Sequence, residues 1–307
     1  MNNSPVIIAG CGRSGTTYLR SLIDAHPDIF IPSESLYIVD YLKAENHRLK
    51  PFLKWLYWKE PQLNAWFRCR NFKFDTFKEA IVKTHCLEAE AEGKKIWGQK
   101  TPRFIRYNKL IDRSFPSAKW ILLHRDARGV VASMLESKSH FYSIYFACRR
   151  WNLDNNYLLQ DRKDTNVLVI SYENLLRDPD DTINKIFDFL NVKPYQVSYL
   201  IENAKIRKYA GSKFRKLSIQ KGFRPDPSKI DDWQNRLSHK QIKSIEYLTS
   251  DMMMTLGYSL SNEKQSKPGF FQLVSPKDLL VLFEYIRKWP KYLFVTFVRK
   301  GLLALIH

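Results

Sequence analysis

Residues able to grip an anion cluster near the start of the chain, in Gly10-Cys-Gly-Arg-Ser-Gly-Thr-Thr17. Glycines at 10, 12 and 15 let a backbone turn tightly enough for amide N–H groups to converge, and the positive end of a following helix adds to the attraction. Arg13 places a full positive charge inside the turn. Further along, Lys100 offers a second cation, Arg125 with Ser133 a guanidinium and a hydroxyl suited to a phosphate monoester, and Glu34 a carboxylate able to take a proton. On spacing alone Glu34 reads first as a helix-capping acid, because Ser33 or Ser35 followed by Leu36, Ile38, Val39 and Leu42 marks a helix start.

These side chains need a frame that ends its strands at one edge. Val6, Ile7 and Ile8 form a run apolar enough for a strand buried on both faces, and Leu19, Leu22 and Ile23 give the next helix its apolar face. Ile29-Phe30-Ile31 reads as a short strand, residues 80–85 as another, and residues 95–100 as a third that ends on Lys100. Pro102 then opens a helix with Phe104, Ile105, Tyr107, Leu110 and Ile111 on one face. Residues 119–126 make a buried strand with Arg125 at its tip, followed by a helix over 127–137 and helical signals through 141–162. Residues 166–172 read as a further buried strand. A helix starting at Asp178 carries Ile183, Ile186, Phe187 and Leu190, and a last helix spans 238–256. Parallel strands alternating with helices imply a right-handed three-layer α/β fold, with ligands along the carboxyl ends of the strands.

The spacing from Gly10 to Gly15 matches the nucleotide loop G-x-x-x-x-G-K-[ST], with Thr17 at the magnesium-ligand position and Thr16 in place of the lysine. That lysine and the metal neutralise the β and γ phosphates in phosphoryl transfer, so a loop without it suits a single 5′ phosphate and a different leaving group. Gly12-Arg13-Ser14-Gly15-Thr16-Thr17, followed by Asp24-Ala25-His26-Pro27 and Glu34, resembles the sulfotransferases that use 3′-phosphoadenosine 5′-phosphosulfate (PAPS), most closely the protein-tyrosine type and its bacterial relatives. The resemblance implies a P-loop nucleoside triphosphate hydrolase-like fold and reverses the ranking for Glu34, which becomes the general base. It implies that Arg13, Ser14, Gly15, Thr16, Thr17 and Tyr18 hold the 5′ phosphate, and that Lys100, in its Lys-x-Pro context, meets the transferring sulfuryl group and bridging oxygen with Arg13. The pattern Arg125, Asp126, Arg128 and Ser133 is similar to the family's grip on the 3′ phosphate, and Tyr172 to a tyrosine near the nucleotide. The product is then 3′-phosphoadenosine 5′-phosphate (PAP), and the scheme calls for no metal.

Composition sets the remaining bounds. At 307 residues and 44% hydrophobic content the chain can bury a sizeable core, and its formal net charge of +19 calls for an anionic partner. The basic residues are scattered and no nucleic-acid signature appears, so the expected partners are the nucleotide co-substrate and an acceptor hydroxyl or amine of unstated identity. Cys11, Cys69, Cys86 and Cys148 lack metal-like spacing and read as free buried thiols. With no signal peptide ahead of the first strand, the expectation is a cytoplasmic protein. Residues 1–260 are expected to form the sulfotransferase domain, with an aromatic-rich insertion at 43–80 on the acceptor side. That insertion is either a sugar- or base-stacking surface or, more simply, a satellite hydrophobic cluster. Residues 261–307 read as a linker and an amphipathic basic tail, with docking on a membrane surface, on a partner subunit or on its own domain left open. Two other functions stay in view. One is a P-loop ATP-dependent small-molecule kinase with Thr17 and Asp126 on magnesium, and the other a non-catalytic anion- or lipid-binding protein.

Overall fold

The computed structural model describes residues 4–35, 37–46, 50–57, 72–137, 143–159, 166–204, 224–261 and 269. Expectations for Cys69, for the aromatics of 58–71 and for the tail beyond 270 lie outside these residues. In chain order the first elements are β1 (Val6–Gly10), α1 (Thr16–Asp24), β2 (Ile29–Phe30), α2 (Tyr37–Lys43), α3 (Lys50–Tyr57), α4 (Phe77–Ala91) and β3 (Ile96–Lys100). A 3-10 helix (Pro102–Tyr107), α5 (Asn108–Ser114), β4 (Lys119–His124), α6 (Ala127–Leu135), α7 (Ile144–Leu159) and β5 (Val167–Ser171) follow. The remainder holds α8 (Tyr172–Arg177), α9 (Pro179–Leu190), α10 (Val197–Glu202), α11 (Trp233–Arg236) and α12 (His239–Thr255). The chain divides into two compact units, Met1–His124 with Asp161–Pro227, and Arg125–Gln160 with Ser228–His307.

The first unit carries a parallel sheet in the order β2-β3-β1-β4-β5. The connection from β1 leaves toward β2 and that from β4 toward β5, so the carboxyl ends of β1 and β4 flank the switch point where such sheets bind ligands. Register aligns these ends: Gly10 pairs with Leu123, Ile8 with Lys100, and His124 with Ser171. Gly10 has φ 146°, and a Cβ there would sit 2.1 Å from the carbonyl oxygen of Leu123, so only glycine lets β1 lie this close to β4 before turning away. The expected strand at 80–85 is instead the middle of α4. Its buried positions Phe77, Ala80, Ile81, Thr84 and His85 follow helical spacing, and Thr76 caps the start by accepting from the Glu79 N–H. The β-branched pair Ile81-Val82 favours a strand locally, but the helical period running from Phe77 to Ala91 overrides it. The strand β5 also differs from expectation: it is a sheet edge, and Val169 is 43% exposed.

Buried polar groups tie the elements of this unit together. Asp24, at the end of α1, accepts the Ile31 N–H at 2.9 Å and faces Arg20 and Lys94 at 3.7 Å and 3.6 Å. Lys94 in turn donates to the carbonyls of Asp24 and Ile29, which fixes where the chain emerges from β2. His26 donates from Nε2 to the Lys193 carbonyl at 2.9 Å and accepts the Asp28 N–H on Nδ1 at 3.0 Å. The Asp24-Ala25-His26-Pro27 run is therefore scaffold. Of the expected insertion, Phe74 and Phe77 pack with Tyr37, Tyr41 and Tyr57 as a buried aromatic cluster. Cys11 and, in the second unit, Cys148 are buried, whereas Cys86 is only half-buried.

The second unit is helical, with α6, α7 and α12 packed on one another. Its centre is Arg128, whose guanidinium pairs with Asp126 at 2.6 Å and Glu246 at 2.7 Å, donates to the Ser259 carbonyl and lies over the Trp233 ring at 4.2 Å. A capping box of Ser238 and Gln241 starts α12 as its sequence suggests.

Three histidines of the first unit make stability depend on pH. His85 donates from Nδ1 to the Ile81 carbonyl at 2.6 Å, which leaves Nε2 to accept from the Gln99 amide, and burial pushes its pKa down to about 4. Burial also pushes that of His124 down to about 4 and lowers that of His26. Because the unfolded chain takes up these protons near pH 6.5 and the folded one resists, stability is full above that pH and is lost as pH falls toward 4. The expected loss through His85 alone is on the order of 3 kcal/mol across that window. Urea unfolding at pH 7 and at pH 4.5 should show it, and His85→Asn, which keeps a donor near the Nδ1 position, should flatten it. An equal pH dependence in wild type and variant would remove His85 as the cause.

Candidate active site

The Gly-rich turn between β1 and α1 has the form the sequence predicts. Gly15, at φ 94°, is the N-cap of α1 and supplies no side-chain cap, so the first amides of the helix are left to other acceptors, with no acid in the first turn to compete. Arg13 is exposed and adopts the left-handed conformation at φ 73°, a strained geometry for a non-glycine residue. Ser14 is fully buried, and its Oγ has no hydrogen-bond partner among the described residues. A buried hydroxyl without a partner among the described residues, next to the uncapped start of a helix, fits an added oxyanion.

Beside this turn stands a three-residue contact. Lys100, at the end of β3, is 4% exposed and donates from Nζ to the Glu34 carboxylate and, at 3.1 Å, to Thr17 Oγ1. Burial lowers the Lys100 pKa against the opposing pull of Glu34. The Glu34 side chain keeps 26% of its surface open, so one carboxylate faces both the lysine and solvent. Of the two roles open to Glu34 in the sequence, the structure gives its carboxylate a pairing with Lys100. Lys100, which alone at a strand end would be a solvated cation, is held inside. These residues come from α1, from the segment after β2 and from β3, and meet because β3 lies beside β1.

Tyr172 is the first residue of α8 rather than the last of a strand, with Ser171 capping by accepting from the Asn174 N–H at 3.1 Å. Its ring lies against the turn: a Cβ on Gly15 would come within 2.5 Å of Tyr172 Cδ2. Tyr18 is buried, and burial, with Tyr172 nearby, raises its pKa. Tyr18 thus offers the turn its backbone amide, while its ring belongs to the interior.

In the second unit, Arg125 precedes α6 and is 8% exposed. Its carbonyl accepts from Trp151 Nε1 at 2.9 Å, its Nη2 donates to the Lys229 carbonyl at 3.3 Å, and a Cβ on Gly129 would come within 2.9 Å of its Nε. The guanidinium therefore folds over the first turn of α6 at Gly129, and Ser133, one turn further on, shares that helical face. Asp126 caps α6 by accepting from the Arg128 N–H at 2.7 Å and is bound by the Arg128 side chain. This spends Arg128, part of the expected phosphate pattern, on the protein's own acids Asp126 and Glu246. Trp151 and Gly129, which support Arg125, look in the sequence like ordinary helix-core positions.

Known proteins resemble this chain in sequence and in fold. A family model described as the sulfotransferase family matches residues 5–196. A protein-tyrosine sulfotransferase of Drosophila melanogaster is 26% identical over 267 residues, 82% of this chain and 51% of the fly protein. The nodulation protein NoeE of Sinorhizobium fredii is 22% identical over 290 residues, 85% of this chain and 68% of that protein. The chain spans about half to about two thirds of the length of the first curated relatives it matches. Among solved structures, the sulfotransferase domain from the curacin biosynthetic pathway superposes with a TM-score of 0.56 at 20% identity, covering 84% of this chain and 99% of that one. The sulfotransferase domain of the Synechococcus PCC 7002 olefin synthase gives 0.56 at 20% identity, over 85% and 98%. These likenesses establish the fold, and with more than half of its residues matched by the family model, the chain belongs to the sulfotransferase family.

Proposed function

We propose that this chain transfers a sulfuryl group from PAPS to an acceptor hydroxyl of a saccharide, lipid or peptide, with Glu34 as general base. The observation that carries the reading is the buried Lys100 ammonium, bonded at once to Glu34 and to Thr17 of the Gly-rich turn. The turn, with its backbone donors, the Ser14 hydroxyl and Thr17, suits the 5′ phosphate. Arg125 and Ser133 read the 3′ phosphate.

In this scheme Glu34 takes the acceptor proton as the acceptor oxygen bonds to sulfur, and the bond from sulfur to the 5′-phosphate oxygen breaks on the far side with its electron pair left on that oxygen. Lys100 and Arg13 neutralise the growing charge there. The pairing between Lys100 and Glu34 makes this exchange self-consistent. As Glu34 becomes neutral its hold on the ammonium weakens, at the moment when negative charge appears on the opposite side of Lys100. No buried charge is left alone at either stage.

Glu34→Gln should lower kcat by roughly 10²- to 10⁴-fold while PAP binds as before, the signature of a lost base with an intact nucleotide site. The assay is transfer of labelled sulfate from PAPS onto lipid, saccharide and peptide extracts, which also reports the acceptor class. Unchanged turnover in the variant would remove Glu34 from the reaction. Titration calorimetry with PAP beside 5′-AMP checks the second cradle: wild type should prefer PAP, and Arg125→Ala should lose about 10- to 100-fold of PAP affinity with little change for 5′-AMP. Equal affinities of the two nucleotides for wild type would dispose of 3′-phosphate recognition.

A further inference from the structure

We infer that Thr101 is a positioning residue of the active site, its hydroxyl holding the segment that carries Glu34 in register with Lys100. The inference rests on the sulfuryl-transfer reading above and adds to it the group that sets the base in place.

Thr101 follows Lys100 directly, is fully buried and has extended backbone at φ −141° and ψ 110°. Its main chain is fixed on both sides: its N–H donates to the Ile8 carbonyl of β1 at 3.3 Å and its carbonyl accepts the Phe104 N–H at 2.9 Å. It stands at the N-cap of the 3-10 helix, where a threonine hydroxyl ordinarily accepts an N–H of its own helix. Here it makes no such bond. Oγ1 instead accepts the N–H of Ser35 at 3.2 Å, a contact reaching across the fold to the residue after Glu34. Residues 31–35 belong to no helix or strand, so the ladder bonds that fix Lys100 on β3 are missing for Glu34. The strand that holds the lysine thus also supplies, one residue later, the acceptor that holds the base. A β-branched side chain is stiff about its first torsion, which makes this acceptor a fixed point rather than a swinging one.

Thr101→Val keeps the branched shape and removes the acceptor, and Thr101→Ser restores the acceptor. Using the full chain, transfer from labelled PAPS to a tyrosine-containing peptide and to 4-nitrophenol gives kcat and KM, calorimetry gives PAP affinity, and amide hydrogen exchange follows residues 33–36. The expected result for Thr101→Val is a kcat lowered roughly 10- to 100-fold, as for a displacement of about an ångström, with KM for PAPS and PAP affinity within about twofold of wild type. Exchange at the Ser35 amide should accelerate in that variant, and Thr101→Ser should recover both kcat and protection. Unchanged exchange at Ser35 in Thr101→Val overturns the inference, as does a loss of PAP affinity in step with kcat, which would mark a general loosening. If wild type transfers sulfate to neither probe, the sulfuryl-transfer reading falls for these acceptors, while the exchange comparison still decides whether Thr101 holds the Glu34 segment.

Discussion

An ammonium group taken out of water is costly unless its donors are filled, and Lys100 is filled by an acid from one segment and a hydroxyl from another. That requirement organises the site. It draws the chain leaving β2 back over the end of β3, so that Glu34 arrives beside the turn between β1 and α1. Removing the Glu34 carboxylate would leave the buried ammonium without its counter-charge. The arrangement also explains why Lys94 is buried at the opposite end of β3: bound to the carbonyls of Asp24 and Ile29, it fixes the start of the segment whose end Lys100 fixes.

The sheet supplies the geometry for this. Because β1 sits between β3 and β4, its turn has the lysine-bearing strand end on one side and the Leu123 carbonyl on the other. Gly10 permits the close approach to β4, and Gly15 permits the Tyr172 ring to rest on the turn. Both positions exclude any larger side chain for steric reasons that precede any question of ligand.

The second unit shows a division of labour between two arginines three residues apart. Arg128 is consumed by Asp126, Glu246, the Ser259 carbonyl and the Trp233 ring, and serves to hold helices together. Arg125 has its main chain fixed by Trp151 and its guanidinium laid across Gly129, on the face that Ser133 shares. Two guanidinium groups of one motif thus sit in different surroundings, which packing and not spacing decides.

The chain's local text was enough for the turn at 10–17, for the strands at β1, β3 and β4, for the stripe on α9 and for the capped start of α12. Each of these rests on short-range chemistry: glycine where φ is positive, a run of apolar residues where both faces are covered, a serine three residues before a glutamine. Local text failed at 80–85, where a β-branched pair imitated a strand inside a helix whose cap lay outside the window. It also failed at β5, whose apolar residues read as interior although the strand is an edge. Whether an apolar strand is central or marginal depends on which strands flank it, and strand order is a long-range property. The same holds for the roles of charged residues. Sequence alone determined that Glu34, Lys100, Arg125 and Arg128 exist at these spacings. Only the tertiary structure decided that Glu34 meets Lys100 and that Arg128 is already spent, because a charge takes its role from the partners that burial brings within bonding distance.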